Sequence, residues 1–133
     1  MSMPYPVSRL HSIKPLAIAV LLVLAILATG CAPKLRAVPI EIHSEPPGAY
    51  VLMQFRHSDA ATDDWLYLGN TPLQITRELN LHDIARNQSV AVRVMREGYF
   101  DQTRSWQGRV FFDEYHARGR IFWNPRLVRA QGD

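Results

Sequence analysis

Ser89-Val-Ala-Val-Arg-Val-Met-Arg96 is the stretch whose reading decides the fold. Val90, Val92 and Val94 recur at every second position, with Ala91, Arg93 and Met95 between them. That period places the valines on one inward face of a strand and the other three on the opposite face. Gly98 breaks the strand, and Tyr99 to Trp106 reads as the next one.

The same period appears upstream. Val38, Ile40 and Ile42 alternate with Glu41 and His43, and Pro39 favours an edge or the start of that strand. Ser44 to Ala49 ends it: Pro47-Gly48 suits the central places of a type II turn, since proline presets φ and glycine accepts a positive one. Tyr50 to Phe55 follows, with Val51, Met53 and Phe55 on one face. Arg56 to Asp64 is too polar for a strand. Trp65 to Leu68 reads as a short third strand, Gly69-Asn70 as a turn, Thr71-Pro72 as extended, and Leu73 with Ile75 as the start of a fourth. Leu79 to Gln88 fits either one or two helical turns or an irregular crossover. The expected fold is all-β, a small antiparallel β-sandwich.

A different segment precedes it. Leu16 to Ala28 is an uninterrupted apolar run of 13 residues, behind Arg9, His11 and Lys14, with no acid anywhere in residues 1–30. As a helix it spans roughly 20 Å, short of the ~30 Å hydrocarbon core of a bilayer. A basic head, apolar middle and small-residue exit form the layout of a secretory signal. Leu27-Ala28-Thr29-Gly30-Cys31 resembles the lipobox of bacterial lipoproteins, although Ala28 stands where leucine is usual. The resemblance implies cleavage before Cys31 and lipidation of that residue, the only cysteine in the chain. Three acyl chains at ~0.8 kcal/mol per buried CH₂ exceed what stable anchoring needs. The alternatives are an ordinary signal with an incidental cysteine, or an uncleaved anchor. Ala32 in place of an aspartate implies, in enteric-type bacteria, export to the outer membrane, on its periplasmic face.

Removal of residues 1–30 leaves 103, enough for one small domain. Lys plus Arg falls from 15 to 13 while all 12 acids remain, so the mature net charge is about +1. The arginines are scattered among acids, which excludes a nucleic-acid binder with its concentrated basic face. With a single cysteine no disulfide can form within the chain, and stability rests on apolar burial. Residues 32–37 read as a tether in which Lys34 and Arg36 either meet anionic headgroups or are merely solvated.

Three pieces in order carry a second resemblance: Ser44-x-Pro46-x-Gly48-Ala49, then Gly69-x-Thr71-Pro72-Leu73, then Gly98-Tyr99 after the valine strand. Together they resemble the PEGA domain, whose naming tetrad reads Pro46-Pro47-Gly48-Ala49 here. The match covers 38–106. It implies a prealbumin-like or starch-binding-like sandwich in an envelope protein, without catalysis. The chain departs from the family pattern in two longer loops, 56–64 and 77–88, where specificity is often placed and insertion is equally tolerated. Residues 107–133 lie outside the resemblance. They are too apolar for disorder, contain a final strand over Arg120 to Asn124, and are expected to pack on the sandwich as an extension.

No catalytic constellation emerges. There is no G-x-S-x-G, and Ser44 between His43 and Glu45 cannot form a triad, because adjacent strand residues point to opposite faces. His43, His57, His82 and His116 show no metal-ligand spacing, and Asp59, Asp63 and Asp64 lack the EF-hand glycine. Neither a metal nor another cofactor is expected. Trp65, Tyr67, Trp106 and Trp123 are either core or a stacking platform for sugar rings; exposed, coplanar rings at Trp65 and Tyr67 would favour the platform. The sequence thus points to a membrane-anchored, non-enzymatic interaction or structural module with an envelope protein partner. A glycan- or peptidoglycan-binding module using the aromatics and the 56–64 loop is the alternative.

Overall fold

The computed structural model describes residues 2, 15–27, 30, 32, 34–57 and 64–131. They fall into two compact units, one within residues 1–32 and one within 33–133. In the first, Pro15–Leu27 forms helix α1. Among the described residues no helix is long and apolar enough to cross a membrane. Cys31, the expected lipidation site, lies outside the described residues, as do 58–63 of the polar loop.

The second unit runs β1 (Arg36–Ile42), β2 (Tyr50–His57), β3 (Leu66–Asn70), β4 (Leu73–Leu79), α2 (Leu81–Asn87), β5 (Gln88–Met95), β6 (Gln102–Gln107), α3 (Gly108–Arg118) and β7 (Ile121–Trp123). It is a small all-β sandwich of a three-stranded sheet, β4-β1-β7, and a four-stranded sheet, β3-β2-β5-β6. All neighbours are antiparallel except β7, which joins β1 in parallel. The alternating residues read from the sequence meet between the sheets. Val38, Ile40 and Ile42 face Val51 and Met53, with Val90, Val92 and Val94 completing the layer, all essentially inaccessible.

Several boundaries differ from the sequence reading. Gly69 and Asn70 belong to β3, and the turn falls on Thr71-Pro72, because a bulge opposite Val51 and Leu52 absorbs Leu68 as an extra residue. Gly69 takes φ +142° there, and a Cβ would stand 2.8 Å from the Leu73 side chain. Arg77 and Glu78 continue β4, paired with Val38 and Ala37, so the crossover to β5 is α2 alone. That helix is capped by Asn80, whose side chain accepts from the Asp83 amide, and it buries Leu81 and Ile84. Strand β6 begins at Gln102, not Tyr99, because Phe100 donates to Val128 and Gly98 accepts from Ala130.

The largest difference is at the C-terminus. Helix α3 was not expected, and residues 107–133 are no mere covering of a finished sandwich. Phe111 is in the core, edge-on to Trp106 at 6.0 Å, beside Ile121 and Leu127. Ile121 pairs with Ile40 and Trp123 with Ile42, so the tail supplies one of the three strands of its sheet. At Gly108 the backbones of α2 and α3 touch: a Cβ would lie 1.7 Å from the Ile84 carbonyl oxygen. Gly119 ends the helix at φ +69° with its amide on Tyr115 O.

Candidate functional site

The motif residues from two distant turns converge on one buried point. Ser44 Oγ donates to Pro46 O at 2.7 Å, and Thr71 Oγ1 accepts from the Ala49 amide at 2.9 Å. The two hydroxyls are 2.6 Å apart. Since the single proton of Ser44 is spent on a carbonyl, Thr71 must be the donor between them. The result is a directed chain, Ala49 N–H to Thr71 to Ser44 to Pro46 O. Two hydroxyls therefore occupy the place of the direct Ala49-to-Pro46 bond that would close the turn. Gly48 takes φ +87°, and its amide donates to Thr71 O while Thr71 N returns to Ala49 O. Pro72 follows at the tip of the second turn. Both hydroxyl protons are committed inside the cluster and both side chains are buried, so it is a clasp between turns.

Gly98 and Tyr99 form a separate junction. Gly98 at φ +79° closes a turn in which the Tyr99 amide reaches Arg96 O. Arg96 and Arg129 place their guanidiniums 5.5 and 5.9 Å from the Tyr99 ring centroid, and Arg96 also bonds Pro47 O. The C-terminal strap joins both regions, since Leu127 N donates to Glu45 O and Glu45 N to Pro125 O.

The aromatic residues divide. Trp106 is 2 % exposed, with its indole N–H on Glu114 Oε2 at 2.7 Å; it is a core side chain, which removes it from any surface platform. Arg104 also pairs with that carboxylate, at 3.1 Å. Trp123 is half-buried on the core through its pairing with Ile42. Trp65 is half-buried, with the Arg93 guanidinium 4.3 Å from its ring centroid. Tyr67 is 54 % exposed, as is Tyr50, and their rings meet at 6.2 Å with a tilt of 54°.

Tyr50 and Arg93 were not singled out in the sequence. Register brings them in: Tyr67 lies opposite Leu52, which lies opposite Arg93, in one row across the outer face of the four-stranded sheet. Period two already put Arg93 on that face, but only strand order makes it a neighbour of Trp65. Gln54 and Ala91 share this face yet are buried. The Arg93–Trp65 stack spans β2 above their row.

The histidines are taken up by packing and pairing. His43 bonds Glu41 at 3.0 Å beside Phe122, and His82 and His116 both stack on Phe112. Among the described residues no three His, Cys, Asp or Glu side chains come together as a metal site would require. Comparison with protein-family models, curated proteins and solved structures gave no match.

Proposed function

We propose that the chain is a lipid-anchored, non-catalytic module of the PEGA type, held at the periplasmic face of the outer membrane by Cys31 and docking an envelope protein. The partner meets the outer face of the β3-β2-β5-β6 sheet. The observation that carries this is the pair of half-exposed tyrosines, Tyr50 and Tyr67, beside the Trp65–Arg93 stack. Tyrosine, tryptophan and arginine are the residues that anchor protein interfaces, giving large contact area at low entropic cost. On the outer face of the other sheet Phe122 is half-buried between Arg120 and His43, and β4 presents only Gln74, Thr76 and Glu78. The clasp of Ser44, Ala49 and Thr71 supports the family reading, because it gives the spaced motif residues one shared physical job.

Glycan binding is the second reading, favoured by the same exposed tyrosines. The 54° tilt between them works against it, since a sugar ring stacks on a flat platform. A photo-crosslinking amino acid at Tyr67, compared with one at Thr76, separates the two in cells. The docking reading expects a discrete protein adduct from Tyr67 alone. Retention on purified peptidoglycan, lost when both tyrosines become serine, would replace it with the glycan reading.

A further inference from the structure

At the end of the sandwich where the chain enters, three strand ends and two helix ends surround a cavity of about 310 Å³. The pairings His57 with Gln88 and Ser89 with Gln107 bring the ends of β2 and β6 beside the start of β5. Arg56, Arg86 and Arg109 line the cavity together with His57, and no carboxylate does among the described residues. Arg56 is steadied by its Nε on Gln54 Oε1 at 2.7 Å, and Arg109 by its Nε 3.4 Å from Asp113. Both contacts leave the end-on pair of Nη groups, the fork that grips a tetrahedral oxyanion. Arg86 stands on the exposed last turn of α2 and makes no ion pair among the described residues. Helix α3 starts at the rim with neither a side-chain cap nor an acid in its first turn, and its field adds to that of the three cations.

We propose that this cavity binds the phosphate of an anionic phospholipid headgroup and thereby fixes which end of the sandwich faces the bilayer. The volume, at the low end of the range for small-molecule sites, accommodates a phosphate group. Arg36 pairs with Leu79, from which the chain turns into α2, so the tether joins the sandwich at the cavity's own end. Four residues lie between Cys31 and Arg36, and the five steps reach at most about 18 Å. The lipid source rests on the anchor reading above; the phosphate chemistry does not.

The test uses the full chain in a zwitterionic detergent, titrated calorimetrically with inorganic phosphate at constant ionic strength. Saturable binding is expected, weakened about tenfold by Arg86→Gln and partly restored by Arg86→Lys. Arg86 is exposed and unpaired, so a melting curve should show the variant folded; Arg118→Gln, at the far end of α3, should bind as the parent does. Vesicles containing phosphatidylglycerol should then compete with phosphate, and phosphatidylcholine vesicles should not. No saturable binding, or binding indifferent to Arg86→Gln, overturns the site. Phosphate binding that phosphatidylglycerol fails to displace overturns the lipid source. Failure of the anchor reading shows elsewhere, as unchanged membrane fractionation of Cys31→Ser, and leaves the phosphate titration unaffected.

Discussion

The hydroxyl oxygens of Ser44 and Thr71 lie 2.6 Å apart across 27 residues of chain, at the point where one turn would otherwise close on itself. Both side chains are buried, and each of their protons has one direction to go. The first turn is therefore shaped by a residue of the second.

Thr71→Val keeps the volume and removes the relay, leaving the Ala49 amide without its acceptor. A loss of about 1–3 kcal/mol is expected in urea unfolding. Ser44→Ala should cost a similar amount. The double variant should fall short of the sum by at least about 0.5 kcal/mol, since both act on one network. Strict additivity would mean that the two hydroxyls work independently.

Gly108→Ala should be among the most damaging single changes, because its Cβ meets the Ile84 backbone, which cannot rotate aside. A destabilisation of about 2–4 kcal/mol is expected from the forced separation of α2 and α3. Gly119→Ala is the comparison: nothing stands within 4 Å, and only its φ of +69° resists. It should cost about 1 kcal/mol. Equal melting temperatures for the two variants would contradict the close approach.

Truncation after Gln107 should abolish cooperative unfolding. It removes Phe111, Ile121 and Leu127 from the core and strips β1 of its β7 neighbour. Each lost large apolar side chain costs about 2–5 kcal/mol, against a typical domain stability of about 5–15 kcal/mol. A sharp thermal transition in the 1–107 fragment would show that the tail is dispensable.

Tyr50→Ser with Tyr67→Ser should leave the melting temperature nearly unchanged, because both rings are more than half exposed and the tyrosine hydroxyl of Tyr67 bonds only its own strand, at Asn70. The effect on stability should stay within about 0.5 kcal/mol, as for ordinary surface changes. Protein crosslinks from the sheet face should disappear. A large drop in stability would make the tyrosines structural and withdraw the docking surface.

Cys31→Ser should block processing and release the chain from its lipid-dependent membrane fraction. Unchanged processing and fractionation would remove the acyl anchor from the proposed function.

How much of this was legible beforehand varied with the distance over which each decision is made. Alternation at Val90, Val92 and Val94 depends on residues two apart, so the strand and its inward face followed from sequence. Helix α3 left only faint marks: Arg109 with Asp113 and Phe111 with Tyr115 at i, i+4, then basic residues before Gly119. Two adjacent phenylalanines and a glycine at the start blur that period, and only the α2 carbonyls explain the glycine. Trp65, Tyr67, Trp106 and Trp123 are chemically alike in the sequence, and neighbours sort them: Glu114 and Phe111 enclose Trp106, Arg93 covers one face of Trp65, and Tyr67 stays out on an edge strand.

The sequence by itself determined the acid-free N-terminal stretch with its apolar run before Cys31, the period-two strands and the turns at Pro47-Gly48 and Gly98, because each depends on residues adjacent in the chain. The tertiary structure decided that β7 lies parallel to β1, that the tail completes the core, that Thr71 shapes the turn before Tyr50, and that three arginines share one cavity. Those outcomes depend on which surfaces exclude water together. Segments up to about 80 residues apart settle that, as Glu45 and Leu127 do, and no local pattern encodes it.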